Sequence, residues 1–164
     1  MQKSMLTLAV MMLATVSALT AQATKTYCNN RFGFCVDYPA ELKLSADRPV
    51  NGDGVVLEAP NGIQASVSGS YNVMDWTSEK IFEFTKTDFE AVIGTAASAK
   101  ETKTTGEGFD ALFSAGTYYQ YAQMLSKGDV YLILTITGPE ELLDEMKSLH
   151  KQLKLTFDNA ATGR

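Results

Sequence analysis

One seven-residue run limits the folds available to this chain more than any other feature of its sequence. Residues 130–136 read Val-Tyr-Leu-Ile-Leu-Thr-Ile, so apolar side chains stand on both faces of a β-strand here. Such a strand is stable only when both faces are covered, because a face left in water would expose apolar surface. The run therefore predicts a strand in a sheet that lies between two other layers.

Further strand candidates surround this run and favour an antiparallel meander. A turn with Lys127 and Gly128 at its centre precedes the run, and the Asn61-Gly62 pair offers the positive φ angles of a tight hairpin. Residues 96–105 fit either an edge strand or an irregular connection. The strand candidates are, in chain order, 34–38, 55–59, 63–68, 109–115, 117–125, 130–137 and 155–157.

Two amphipathic helices can supply the covering layers. The first has capping side chains over residues 75–78 and a stop at Gly94, and the second has Pro139 at its first position. Their apolar residues recur at helical spacing, and they are Ile81, Phe82, Thr85, Phe89, Val92 and Ile93 in the first helix and Leu142, Leu143, Met146, Leu149 and Leu153 in the second. The predicted fold class is α+β, an antiparallel β-sheet sandwiched between helices in a single domain.

The first 23 residues have the layout of a secretory signal peptide. A cation at Lys3 precedes an apolar stretch over residues 5–19, and a small-residue Ala-Gln-Ala site predicts cleavage after Ala23. Spanning a bilayer needs about 20 apolar residues, so we expect no membrane span after cleavage. The expected product is a single α+β domain over residues 24–164, located in the periplasm or secreted.

The charge balance argues against two classes of partner. Loss of Lys3 from the 14 Lys and Arg residues leaves 13 against 19 Asp and Glu residues, a formal charge of −6. Binding to nucleic acid or to an anionic membrane depends on clustered cations that neutralise phosphates. We therefore expect no nucleic acid among the partners, and instead an envelope protein or an extracellular component.

Cys28 and Cys35 bracket a turn-like Asn-Asn-Arg-Phe-Gly segment. An exported pair of cysteines forms a disulfide by default, and one cysteine on each arm of a hairpin lets the sulfurs meet across it. The spacing differs from the Cys-x-x-Cys of redox enzymes, and no histidine is close enough in sequence to stabilise a thiolate. We expect a structural disulfide that contributes about 2–3 kcal/mol by closing a short loop.

Few residues in the sequence suggest catalysis or metal binding. The single histidine, His150, falls at the border of the second helix's apolar face, where a structural role is favoured over a catalytic or pH-sensing one. One histidine and two bridged cysteines do not make a zinc site, and the loop 47–54 resembles a calcium loop without its closing Glu. We expect no metal and no cofactor. The acidic residues at the start of the second helix complement its dipole, and they are Glu140, Glu141, Asp144 and Glu145.

Five aromatic side chains are the candidates for a binding surface, because partly exposed rings give flat contacts for peptides or sugars. They are Tyr71 and Trp76 before the first helix and Tyr118, Tyr119 and Tyr121 on one strand. Alternation along that strand sends Tyr119 and Tyr121 to one face and Tyr118 to the other. Some of these rings are therefore expected in the core.

The amino-terminal hairpin resembles that of a known family. Residues 27–39 read Tyr-Cys-Asn-Asn-Arg-Phe-Gly-Phe-Cys-Val-Asp-Tyr-Pro, and Asn-Gly-Asp-Gly follows at 51–54. This combination resembles the opening of exported bacterial domains with the fold of PsbP, the extrinsic photosystem protein, although Cys28 and Cys35 stand where other residues are common. The resemblance implies an antiparallel sheet between helical layers and a role as an assembly factor or binding protein.

Three functional hypotheses follow. The leading one is an exported, non-catalytic binding or accessory domain of the cell envelope. The second is a hydrolase or other enzyme that uses carboxylates and tyrosines, and the third is a calcium-dependent module. A deep pocket with converging carboxylates would favour the enzyme, and an exposed aromatic patch would favour binding.

Overall fold

The computed structural model describes residues 23–46, 49 and 51–158. Residues 1–22 of the predicted signal peptide lie outside the described residues, as do Asp47, Arg48 and Val50 of the possible calcium loop. In chain order the elements are β1 Thr24–Asn29, β2 Phe34–Pro39, β3 Lys43–Leu44, β4 Gly54–Glu58, β5 Gln64–Tyr71, α1 Ser78–Ile93, β6 Ser98–Thr105, β7 Gly108–Ala115, β8 Tyr118–Lys127, β9 Val130–Pro139, α2 Leu143–Gln152 and β10 Lys154–Phe157. Neither helix of this part of the chain is long and apolar enough to cross a membrane.

The strands of the described residues form two antiparallel sheets, one of seven strands in the order β3-β4-β5-β9-β8-β7-β6 and one of three in the order β1-β2-β10. β9 lies inside the larger sheet, paired along its length with β5 and β8. From β9, Leu132 and Leu134 enter one core, and Tyr131 and Ile133 pack against a second core on the opposite face. The predicted α+β class, with an antiparallel sheet between helices, is confirmed.

The first core lies between the larger sheet on one side and α2 with the smaller sheet on the other. Fully buried Phe34 and Val36 of β2 belong to the same apolar cluster as Met146 of α2. Gly138 gives the helix room, since a Cβ at this position would lie 3.0 Å from the Sδ atom of Met146. α2 therefore packs directly on the end of β9.

The second core lies between α1 and the opposite face of the larger sheet. Ile81 and Phe89 of α1 are buried in one cluster with Phe113 of β7. The ring of Phe82 meets Phe109 edge-on, with ring centroids 5.4 Å apart. The helix contacts of this core are made with β7 and β8.

The two helices lie on opposite faces of the larger sheet and are displaced from each other by about one strand. Neighbouring strands are about 4.8 Å apart and a helix with its side chains is about 10 Å wide, so one helix covers about two strands. α1 lies over β7 and β8, whereas α2 lies over β9 and β8 and next to β2. Each face of the sheet therefore keeps a part that no other described element covers, β5 and β9 beside α1, and β6 and β7 beside α2.

One residue of the first helix is less buried than the sequence predicts. Val92, placed on the buried face of the first helix by its spacing, is 76% exposed, and Phe84 is exposed as well. Ile133 of β9 is only half-buried. All three border the same groove, because no element of the described residues covers the side of α1 that turns towards β9.

Two local predictions change in detail, and the structure decides between two alternatives that the sequence left open. The second helix begins with a 3-10 turn, Glu140–Leu142, and its α-helical part starts at Leu143 instead of Pro139. The turn before β9 is centred on Gly128 and Asp129, with Gly128 at a φ of 61°. The weakly patterned residues 96–105 contain the edge strand β6, whose residues are all exposed.

The β1–β2 hairpin carries the disulfide. Cys28 and Cys35 stand opposite each other in the antiparallel register, and their sulfur atoms are 2.09 Å apart. This is the pairing that the sequence predicts. The bridge joins the two arms of the hairpin at the edge of the smaller sheet.

The two motifs that resemble the known family meet in space. The Arg31 guanidinium donates a hydrogen bond from Nη1 to the carbonyl oxygen of Asn51, 2.8 Å away and 20 residues further along the chain. Asn29 donates from Nδ2 to the carbonyl oxygen of Gly52 at 3.0 Å. These bonds tie the loop 51–54 to the hairpin, so the motif residues have a structural role here.

Candidate binding site

A cleft of about 400 Å³ opens between α2 and the uncovered part of strands β6 to β8, and we call it the α2 cleft. β6 and β7 extend past the helix, so the sheet forms the floor and α2 forms one wall. Leu112 and Tyr121 lie on the floor, and both are buried. The volume of the α2 cleft falls within the usual range of small-molecule sites, about 300–1,000 Å³.

A stack of two rings forms the back of the cleft. Tyr121 and His150 have their ring centroids 5.1 Å apart and their planes within 13° of parallel. His150 follows Met146 by about one helical turn and so stands at the edge of the buried face of α2. Asp110 of β7 joins the pair, with its Oδ1 atom 3.6 Å from Nε2 of His150. The fold thus brings together three polar groups from three elements.

The surroundings keep the stack neutral near pH 7. Burial lowers the pKa of His150, although the neighbouring carboxylate of Asp110 acts in the opposite direction. Burial also raises the pKa of the Tyr121 hydroxyl, and the negative charges of Glu101 and Asp144 raise it further. The cleft therefore presents a neutral imidazole and a protonated phenol.

Three lysines stand around the opening of the cleft. Lys147 and Lys151 come from α2, and Lys103 comes from β6. Within the described part of the chain, none of their ammonium groups has a carboxylate oxygen within 4.0 Å. Two acidic residues also line the cleft, Glu101 and Asp110, and 45% of the Asp110 side chain is exposed. The α2 cleft is consequently a cavity with an apolar floor and a rim on which cations are available for a ligand.

The stacking of Tyr121 on His150 favours ligand binding over nucleophilic chemistry in the cleft. Because the imidazole of His150 lies parallel to the ring of Tyr121, the two residues meet face to face and each fixes the orientation of the other. A nucleophilic site needs its base within hydrogen-bond reach of the nucleophile. Rings held face to face are suited to positioning a ligand by packing and by hydrogen bonds from their edges.

The structure places the five aromatic candidates in three separate regions. Tyr121 lines the α2 cleft. Tyr118 is exposed and Tyr119 half-buried at the start of β8, on opposite faces as the alternation predicts. Tyr71 and Trp76 lie before α1, where they pack on neighbouring rings. The five residues therefore do not form one continuous surface, and the cleft holds only Tyr121 among them.

A second cavity, of about 340 Å³, occupies the uncovered area beside α1, and we call it the α1 groove. Its floor carries hydroxyl side chains from two strands, among them Ser66 and Ser68 of β5 and Thr135 of β9. Its helix wall carries the exposed Phe84 and Val92. The groove thus combines an uncharged polar floor with a helix wall on which Asp88 stands among mostly apolar residues.

The described residues contain no group of three or more His, Cys, Asp and Glu side chains that could hold a metal ion. In the possible calcium loop, the carbonyl oxygens of Asn51 and Gly52 already accept hydrogen bonds from the hairpin. The acidic cluster at the start of the second helix occupies the 3-10 turn and the first turn of α2, and its members are Glu140, Glu141, Asp144 and Glu145.

The fold is similar to that of solved structures. The solution structure of cyanobacterial PsbP (CyanoP) from Synechocystis sp. PCC 6803 matches with a TM-score of 0.58 and 16% sequence identity, over 88% of this chain and 99% of that chain. The chain has the PsbP-like fold. This confirms the fold that the hairpin resemblance implies, and at such a low identity the likeness concerns the fold alone.

A second solved structure, a crystal structure from Bacteroides thetaiotaomicron VPI-5482, matches with a TM-score of 0.46 and 15% identity over 80% of this chain and 48% of that chain. No family model matches the sequence. No curated protein matches it either.

Proposed function

We propose that this protein is an exported, non-catalytic binding domain with the PsbP-like fold, acting as an accessory component outside the cytoplasm. The α2 cleft carries this proposal. It combines an apolar floor, a fixed pair of neutral rings and lysines that lack a carboxylate partner among the described residues. Such a combination is typical of small-molecule sites, which pair an apolar lining with a few placed polar groups.

Three features support a location outside the cytoplasm, either periplasmic or secreted. The first residues have the layout of a signal peptide that is cleaved after Ala23. The cysteines of the hairpin are bridged, and disulfides persist in oxidising compartments. The hairpin motif resembles that of exported domains, and the fold of those domains is the PsbP-like fold. The mature protein is then a single α+β domain over residues 24–164.

The geometry of the cleft favours binding over hydrolysis. The imidazole of His150 is held against a ring, and the tyrosine beside it keeps its proton because burial raises its pKa. Neither group is thereby prepared as a nucleophile. We expect a ligand that binds in the cleft to be released without chemical change.

The test is to express the full chain in a bacterial host with its own leader and to recover it from the envelope fraction and the medium. Sequencing of the amino terminus should give Thr24, and native mass spectrometry should show a bound small molecule that is released with an unchanged mass. Lys147→Glu reverses a charge at the mouth of the cleft, and Lys43→Glu reverses one on β3, at the opposite edge of the larger sheet. Only the first should lose the bound compound.

Two outcomes would contradict the proposal. Recovery of the protein in the cytoplasm with residues 1–23 intact would contradict export. Release of a compound whose mass changes with incubation time would show turnover and would support the carboxylate and tyrosine enzyme instead.

A further inference from the structure

We infer that the α2 cleft binds a small amphiphilic anion, a carboxylate or phosphate carried on an apolar body. This inference rests on the proposed binding function and names the chemical class of its ligand. It follows from the way charge and apolar surface are divided between the rim and the floor of the cleft.

The cationic rim is the first part of the argument. The chain as a whole has a formal charge of −5, yet Lys103, Lys147 and Lys151 meet at one opening. Among the described residues no carboxylate oxygen lies within 4.0 Å of the ammonium nitrogen of any of these three lysines. Unpaired cations gathered on a concave surface raise the local concentration of anions, and the effect is screened by salt.

The floor supplies the second part. Leu112 of β7 and the Tyr121 ring of β8 present apolar surface below the rim. An inorganic anion would use the lysines and leave this surface in water. A ligand with an apolar body covers the floor as well, which adds about 25 cal/mol for each Å² of apolar surface removed from water.

The two carboxylates that line the cleft determine how the ligand is oriented. Asp110 turns its buried Oδ1 atom towards His150, while 45% of its side chain is exposed. Glu101 stays exposed at the opening and repels an anion there. The acidic group of the ligand therefore lies towards the α2 side, between Lys147 and Lys151. Removal of the Glu101 charge should strengthen binding, which a merely structural role of these residues does not predict.

The test uses three fluorinated probes with the same apolar body and different charges: 4-(trifluoromethyl)benzoate, the corresponding benzyl alcohol and the corresponding benzylammonium ion. Their dissociation constants for the mature protein are measured by 19F NMR at low and high salt. We expect the benzoate to bind most tightly and the benzylammonium ion most weakly. Inorganic phosphate, which lacks the apolar body, should bind more weakly than the benzoate.

Single charge substitutions at the rim and on β3 provide the matched variants. Lys147→Gln and Lys151→Gln should each weaken benzoate binding about two- to fivefold, the range of a single solvent-exposed ion pair. Glu101→Gln should strengthen it by a similar factor. Lys43→Gln, on β3, should leave it unchanged, and the affinity of the neutral alcohol should not respond to any of the four substitutions.

These results test the chemical class of the ligand separately from the proposed binding function of the cleft. Equal binding of the three probes, or an equal response to Lys147→Gln and Lys43→Gln, would overturn the anion inference. The proposed function would still stand if native mass spectrometry had found a compound that Lys147→Glu displaces. Tighter binding of inorganic phosphate than of the benzoate would also overturn the inference, because the floor would then contribute nothing.

Discussion

A single methyl group at Gly69 should loosen the hairpin that closes the smaller sheet. Gly69 of β5 faces Phe32, and a Cβ built at position 69 would lie 2.6 Å from both Cβ and Cγ of Phe32. These two atoms belong to the root of the side chain, so a rotamer change cannot move both of them away. In Gly69→Ala the hairpin backbone must therefore shift.

The size of the effect follows from what Phe32 touches. Its side chain is buried, its ring lies 5.1 Å from that of Tyr71, and the Arg31 guanidinium stands 4.9 Å above it. Overpacking of a tight site costs about 1–3 kcal/mol. Replacing a glycine by alanine in an unstrained position stabilises by about 0.4–1 kcal/mol, which offsets part of the cost. We expect Gly69→Ala to lower the free energy of unfolding by about 1–2 kcal/mol.

Urea denaturation of the mature protein measures this change as a shift of the transition midpoint, provided that the dependence of the unfolding free energy on urea concentration stays the same. Gly106→Ala is the matched control, because a Cβ there meets no atom within 4 Å. It should be neutral or slightly stabilising. A Gly69→Ala protein that is as stable as the Gly106→Ala protein would refute the close contact between β5 and the hairpin.

Three further predictions concern the disulfide, the histidine and metal ions. Replacement of both Cys28 and Cys35 by serine should lower the free energy of unfolding by about 2–3 kcal/mol, because the bridge closes a short loop; denaturation curves that coincide with the wild type would contradict this. Burial lowers the pKa of His150 in the folded protein below its usual 6.5, so the unfolded state binds more protons and stability should fall as the pH drops below about 6.5. Thermal melts from pH 7.5 to 5 should show a smaller fall in melting temperature for His150→Gln than for the wild type. Equal falls would be evidence against the burial of His150. Calcium or a chelator should leave the melting temperature unchanged, whereas a rise with calcium would revive the calcium-dependent module.

The sequence predicts the helices and most strands because local signals mark them. The first helix is bounded as expected: Thr77 caps it by accepting a hydrogen bond from the Lys80 N–H, and Gly94 ends it in the left-handed conformation. The doubly apolar run of β9 indicates the layered sheet correctly. These features depend on residues that are close together in the chain, so a reading along the sequence can detect them.

The position of the helices over the sheet could not be predicted in this way. The apolar face of α1 includes Val92 by spacing, yet the residue is exposed because the helix lies over β7 and β8 and stops short of β9. One sequence signal does point to this result. β5 alternates buried Ala65 and Val67 with Ser66 and Ser68, the pattern of a strand with one polar, partly open face.

The α2 cleft was only partly visible in the sequence. The sequence makes Tyr121 a candidate and places His150 at a half-buried border, but nothing local connects them with Asp110 or with Lys103 on another strand. These residues meet because β6, β7 and β8 are neighbours in the sheet and α2 crosses beside them. A site that four separate elements assemble leaves no spaced motif for a sequence search.

The most direct test of the central claim, that ligands enter beside α2, is a map of amide chemical-shift changes as 4-(trifluoromethyl)benzoate is added to the 15N-labelled mature protein. We predict that the largest changes fall on Lys103, Leu112 and the last two turns of α2, with little change at Ser66 and Ser68 in the α1 groove. Changes concentrated at those serines, or spread evenly over the protein, would contradict it.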